Sequence, residues 1–94
     1  MKIAWSRRAR QHLLELRAYV ELDKPDAAER LSSRIVECVE LIRVQPSAGK
    51  PGRIQGTREL VISGTPYIVP YRVRARGIEV LGVFHGRQKW PKYL

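Results

Sequence analysis

Cationic side chains dominate the second half of this 94-residue chain, which carries a net charge of +9. Residues 49–94 contain nine Lys or Arg against two acids, Glu59 and Glu79, whereas residues 1–48 contain nine against seven. A positive field of this kind attracts phosphate backbones or an acidic protein partner. The candidate residues for binding such a target or partner are Lys50, Arg53, Arg58, Arg72, Arg74, Arg87, Lys89 and Trp90.

A second possible chemistry is proton transfer. Cleavage of a phosphodiester without a metal needs a base for the attacking hydroxyl, cations for the charge that develops at phosphorus, and an acid for the leaving oxygen. The candidate catalytic residues for that reaction are Arg58, His85, Arg87 and Tyr93. Structural interpretations compete with this one, because Arg58 could form an ion pair with the adjacent Glu59, and a histidine at a strand end often serves as a hydrogen-bonded structural group.

The sequence predicts no cofactor and no metal site. His12 and His85 are 73 residues apart without a carboxylate cluster, and His12 is predicted to be a surface residue of the first helix. Cys38, the only cysteine, lies in a helical apolar pattern and is predicted to be a buried core thiol. No apolar run approaches transmembrane length and no signal region is recognisable, so we expect a cytoplasmic protein without membrane contact.

Three runs rich in β-branched and aromatic residues must position the cationic side chains. They extend from Arg58 to Ile62, from Tyr67 to Val73 and from Ile78 to Phe84, and the turn residues between them predict two successive hairpins. Alternation along the middle run predicts one face made of Tyr67, Val69, Tyr71 and Val73. Pro70 cannot donate to a ladder, so we expect a bulge or an unpaired position there.

Two amphipathic helices precede these strands. After a short apolar strand, Ser6 is a good N-cap for a helix over residues 7–22, and Pro25 suits the first turn of a second helix that ends before Pro46. The core positions predicted from helical spacing include Leu13, Leu16, Leu31, Ile35 and Ile42. Residues 45–56 are predicted to form a long irregular loop. The order β-α-α-β-β-β predicts one α+β domain over residues 1–94, with a helical hairpin packed on a small antiparallel sheet.

Three spaced motifs carry a resemblance to a known family. They read G-T-R-E at residues 56–59, P-Y-I-V-P-Y-R-V at residues 66–73 and F-H-G-R-Q-K-W-P at residues 84–91. With the order of elements across the whole chain, they resemble the RelE/ParE superfamily of bacterial toxins. The resemblance implies the RelE/ParE-like toxin fold and a toxin made together with a small antitoxin. We expect that antitoxin to contribute an acidic segment and to form a hetero-oligomer with the toxin.

The superfamily has two branches with different activities. RelE-like members resemble ribosome-dependent mRNA endoribonucleases, whereas ParE-like members are taken to act on DNA gyrase. The resemblance to the nucleases places Arg87 on their arginine after the last strand and Tyr93 loosely on their C-terminal tyrosine, but it puts Ile68 where they carry another arginine.

An isoleucine cannot neutralise a phosphorane, so we predict a ParE-like toxin that binds DNA gyrase without catalysis. The alternative is a ribosome-dependent mRNA endoribonuclease, with the ribosome and mRNA as partners. A basic nucleic-acid-binding module is a third interpretation, which accounts for the charge but for none of the motifs.

Overall fold

A mixed six-stranded sheet supports a helical hairpin in the computed structural model, which describes every residue from Met1 to Leu94. The strands are β1 Ile3–Trp5, β2 Lys50–Pro51, β3 Arg58–Val61, β4 Tyr67–Arg74, β5 Gly77–Val80 and β6 Phe84–His85. Their spatial order is β1-β5-β4-β3-β2, and β6 pairs with the beginning of β4. All pairs are antiparallel except β1 with β5, which is parallel. The predicted α+β class is confirmed, with one parallel pair added.

The two helices begin at the predicted residues. Helix α1 spans Arg7–Glu21, and the Ser6 hydroxyl accepts a hydrogen bond from the Ala9 N–H at 3.0 Å, which satisfies one of the free donors of the first turn. Helix α2 spans Pro25–Leu41. Neither helix combines the length and the apolar character that crossing a bilayer would demand.

The core lies between the helical hairpin and one face of the sheet. Its buried members are Ala9, Ile35, Val39, Ile42, Ile62, Val69, Tyr71, Ile78, Val80 and Val83. The predicted core residues Ile35 and Ile42 are fully buried. Those that are half-buried and packed against the core are Leu13, Leu16, Leu31 and the thiol-bearing Cys38. The helical spacing therefore identified the correct faces, although the thiol is less buried than predicted.

The long loop before the meander contains a strand that the sequence did not predict. β2 pairs with β3 through two residues, and the loop is held by Tyr71, whose hydroxyl donates to the Pro46 carbonyl at 2.7 Å and accepts from the Gly49 N–H at 2.8 Å. A Cβ on Gly49 would lie 2.7 Å from the Tyr71 ring, so only glycine fits. The prediction of a wholly irregular loop was wrong because a buried phenol draws it onto the sheet.

The last predicted strand is interrupted in its middle. β4 pairs Tyr71 with Val80 but Ile68 with Phe84, so three residues oppose two and β5 is separated from β6 by a bulge. The Leu81 N–H donates to the Pro70 carbonyl at 2.9 Å, and the proline nitrogen, which cannot donate in return, belongs to the same bulged position. The bulge expected at this proline is confirmed, whereas the continuous strand was wrong.

Candidate functional site

The side of the sheet that faces away from the helices carries most of the predicted binding residues on the strands. We call it the open face, and the strand registers assign to it Lys50, Glu59, Pro70, Arg72, Arg74 and Glu79. These residues alternate with the core-facing Val69 and Tyr71. Lys50 and Arg74 are exposed and Arg72 is half-buried. The structure therefore places the predicted Lys50, Arg72 and Arg74 on one surface.

The charges of the open face are unevenly paired. Arg53 binds Glu59 with 3.0 Å between Nε and Oε2, and Arg74 binds Glu79 with 3.3 Å between Nη2 and Oε1. Lys50 and Arg72 form no ion pair. The two acids of the open face are thus engaged, and the unpaired charge that remains there is positive.

Glu59 is the deepest acidic group of the chain. Its side chain is 2% exposed and accepts three hydrogen bonds from Arg53, one from the backbone N–H and two from the guanidinium, at 2.7 to 3.1 Å. Burial alone would raise the pKa of Glu59, but the hydrogen bonds and the charge of Arg53, with a contribution from Lys50, outweigh it and lower the pKa. Glu59 therefore remains ionised and holds Arg53 in place.

Arg53 begins a column of stacked side chains that reaches helix α1. Its guanidinium lies 3.7 Å from the ring centroid of Trp90, and Trp90 stacks on Phe84 with centroids 4.5 Å apart and planes 22° apart. Phe84 in turn meets His12 edge to face at 4.9 Å. We call Arg53, Trp90, Phe84 and His12 the aromatic column. The column attaches the C-terminal tail to the open face and to the first helix.

His12 has a structural partner that the sequence analysis missed. Its Nδ1 accepts a hydrogen bond from the Val83 N–H in the bulge at 3.1 Å. The pKa of His12 is lowered, mainly because burial desolvates the imidazolium, with Arg8 adding to the effect and Glu15 opposing it. The prediction of a surface histidine was wrong. The available signal was its spacing, three residues after the core residue Ala9.

The candidate catalytic residue Arg58 is bound to backbone. Its Nη1 donates to the Gly49 carbonyl at 2.7 Å, with a longer contact of 3.5 Å to the Ser47 carbonyl. The ion pair with Glu59 that was an alternative role for Arg58 does not form, and Arg53 occupies that place. The physical reason is that adjacent strand residues point to opposite faces of a sheet.

His85, the second candidate catalytic residue, organises a turn. Its Nδ1 accepts from the Arg87 N–H at 3.1 Å, and its own N–H donates to Gln88 Oε1 at 2.9 Å. Its ring meets Tyr67 edge to face at 5.6 Å. Arg87 and Tyr93 lie beyond this turn and are exposed.

The structure does not bring Arg58 and His85 together. Arg58 is opposite Tyr71 and His85 is opposite Tyr67, on different sides of β4. The two positions are four residues apart along β4, about 13 Å at the rise of a strand. Arg53 and Trp90 do meet directly, as do His85 and Arg87 through the backbone N–H of Arg87. Lys89 lies exposed beside Trp90 in the tail. No group of three or more His, Cys, Asp or Glu is arranged to hold a metal ion.

Comparison with known proteins assigns this chain to a family. Residues 3–90 match the family model described as the ParE toxin of the type II toxin-antitoxin system, parDE. The chain belongs to the ParE toxin family. It is 47% identical over 93 residues to "Putative toxin Y4kP" of Sinorhizobium fredii (strain NBRC 101917 / NGR234), which covers 99% of this chain and 96% of the relative.

A solved structure supports the same assignment. A chain of the "Chromosomal ParDE TA system from P. aeruginosa" matches this ParE-family fold with a TM-score of 0.84 and 26% sequence identity. The match covers 90% of this chain and 95% of the other. The predicted resemblance to the ParE-like branch and the predicted toxin fold are confirmed, and the protein is a ParE-type toxin of a toxin–antitoxin system.

Proposed function

We propose that this ParE-family toxin inhibits growth by binding DNA gyrase and that it does not cleave RNA. The observation that carries the proposal is the separation of Arg58 from the candidate nuclease residues His85 and Arg87. Arg58 is bound to the Gly49 carbonyl, and His85 accepts from the Arg87 N–H at the other end of β4. A reaction at one phosphate needs its base and its cations within hydrogen-bonding reach of the same atoms, and Arg58 is held apart from His85 and Arg87.

A binding function makes better use of the same residues. Arginine and tryptophan are the types most often found at interface hot spots, and Arg53 and Trp90 are already held in one geometry by Glu59 and Phe84. A preorganised pair loses less conformational entropy on binding. The exposed cations beside it would add electrostatic attraction.

The cognate antitoxin is proposed to cover part of this surface with an acidic segment that folds on binding. The printed name of the P. aeruginosa structure describes a ParDE system, which supports such a partner. Lys50 and Arg72, which lack ion pairs on the open face, are the proposed contacts.

Stopped-flow association with purified antitoxin tests this part. We expect the association rate constant of the parent protein to fall as salt increases. At low salt, Arg72→Ala should have a lower rate constant than Arg30→Ala, which changes an exposed arginine of α2. Equal rate constants at low and high ionic strength would rule out the electrostatic contribution.

The gyrase proposal is tested with two reconstituted assays run in parallel. The toxin is added to gyrase with relaxed plasmid DNA, and separately to translating ribosomes with a mapped mRNA. We expect loss of supercoiling without codon-specific mRNA cleavage, and a weaker apparent affinity for gyrase in Arg87→Ala, with Arg30→Ala as the control. Codon-specific cleavage that Arg87→Ala abolishes, with supercoiling unaffected, would establish the ribonuclease alternative.

A further inference from the structure

A cleft of about 490 Å³ lies between the first turns of α1 and the C-terminal tail. Its lining consists of Arg8, His12, Phe84, Gln88, Lys89, Trp90 and Pro91. No acidic residue is among them. The cleft has two formal positive charges from Arg8 and Lys89, and neither residue forms an ion pair. A ligand for such a cleft carries negative charge.

The polar side chains that line the cleft have free hydrogen-bond donors but no free acceptors. The acceptor of His12, its Nδ1, is occupied by the Val83 N–H, and the side-chain oxygen of Gln88 accepts from the His85 N–H. The guanidinium of Arg8 has only a long contact of 3.5 Å to the Tyr93 carbonyl. The polar side chains of the cleft therefore retain donors, while their acceptors are engaged. The matching ligand offers acceptor oxygens.

The aromatic rings of the cleft exclude stacking as the means of recognition. One face of Trp90 is covered by Arg53 and the other by Phe84, and Phe84 itself is only 3% exposed. Proteins that bind single strands rely on open aromatic surfaces on which bases stack. The backbone of a duplex, in contrast, needs only cations and donors.

We propose that this cleft binds the phosphate backbone of double-stranded DNA, with Arg8 and Lys89 as the principal contacts. His12 and Gln88 supply further donors. Binding of this kind is independent of base sequence, because phosphate contacts carry no sequence information directly. Duplex binding by the cleft goes beyond the proposed function and does not require gyrase. Either proposal can therefore be disproved while the other stands.

The direct test measures binding of the free toxin to fluorescein-labelled duplexes of two unrelated sequences, by anisotropy, at several salt concentrations. We expect similar affinities for both duplexes. In Arg8→Ala and in Lys89→Ala, affinity should fall equally on both, and the slope of log K against log[salt] should become shallower by about one. Arg30→Ala removes one positive charge from the exposed surface of α2 and is the matched control, whereas Arg8→Lys should restore much of the binding.

Nuclear magnetic resonance distinguishes the phosphate from other anions. The two tryptophans give two indole N–H signals, and Trp5, which packs against the core from β1, serves as the internal control. We expect inorganic phosphate and duplex DNA to shift the Trp90 signal saturably while the Trp5 signal stays in place. Acetate at the same ionic strength should have little effect.

Three results would overturn the inference. The first is an equal loss of DNA binding in Arg30→Ala and Arg8→Ala, which would mean general attraction by the net charge. The second is an equal response of Trp90 to acetate and phosphate, which would indicate a carboxylate of a protein partner. The third is the absence of DNA binding by a toxin that inhibits gyrase, which would leave the gyrase proposal intact.

Discussion

The two faces of the sheet bury their residues by different means. On the face toward the helices, Val69 and Tyr71 are fully buried by a continuous apolar core. On the open face, Glu59 is buried nearly as deeply, but its main partner is the guanidinium of Arg53, which is itself covered by Trp90 from the tail. One face depends on the burial of apolar area, whereas the other depends on a titratable charge and on a few stacked rings. The open face can therefore be altered without unfolding the protein.

The largest expected effect concerns the helix-facing core. Ile35→Ala removes a fully buried side chain of α2 and should lower the free energy of unfolding by about 2–5 kcal/mol, from lost transfer free energy and the cavity that remains. The neighbouring Val36→Ala, at a position 40% exposed, should change it by less than about 1 kcal/mol. Urea unfolding followed by circular dichroism measures both. An unchanged midpoint for Ile35→Ala would show that the core is wrongly assigned.

The next largest effect is expected on the open face, where the contribution of Glu59 to the free energy of unfolding depends on pH. Glu59→Gln should lower the free energy of unfolding by about 1–3 kcal/mol, because the hydrogen bonds from Arg53 lose their charged acceptor. Arg53 is 43% exposed, so we expect less than for a fully buried ion pair.

The pKa of Glu59 is lower in the folded state, so its contribution is complete above the unfolded pKa of about 4.3 and is lost as pH falls through the folded pKa. The difference between parent and Glu59→Gln should thus shrink in acid. Glu79→Gln, which breaks an exposed pair with Arg74, should have an effect below about 1 kcal/mol. Equal effects of the two substitutions at neutral pH would contradict the special position of Glu59.

A smaller effect is expected from removing the centre of the aromatic column. Trp90→Ala eliminates the stacking on Phe84 and the cation–π contact with Arg53, together about 1–2 kcal/mol. Because the column attaches the tail, we expect faster hydrogen exchange over residues 86–94 with little change in the helices. Tyr93→Ala, at a position 81% exposed, is the control and should leave exchange unchanged. Uniformly faster exchange throughout the chain would mean that the two faces are not separable.

The smallest expected effect is a pH dependence at His12. Its pKa is lowered by burial, so the unfolded chain takes up the proton first, and stability should decline as pH falls from about 6.5 to the folded pKa and change no further below it. Protonation of Nδ1 also removes the acceptor of the Val83 N–H. Thermal unfolding between pH 7.5 and pH 5 measures the decline. His12→Gln should show a shallower decline, and an identical profile would assign the dependence to other groups.

Much of the fold could be predicted because it depends on local chemistry. Ser6 and Pro25 mark where the helices begin, and alternation along β4 correctly places Tyr71 inward and Arg72 outward. Pro70 predicted the bulge, because a residue without an N–H disrupts the hydrogen-bond ladder of any β-strand. The motifs on these strands were also sufficient to indicate the family.

What the tertiary structure decided is which of the candidate residues meet. The types of Arg53, Glu59 and Trp90 are visible in the sequence, but the choice of Arg53 over Arg58 as the partner of Glu59 depends on how the loop folds onto the sheet. The bond from Val83 to His12 joins residues 71 positions apart. Periodicity describes one element at a time, whereas these contacts arise where a loop, a helix and a tail converge. The core faces were therefore determined by the sequence pattern itself, and the Glu59 ion pair, the aromatic column and the cationic cleft only by the packing of elements against one another.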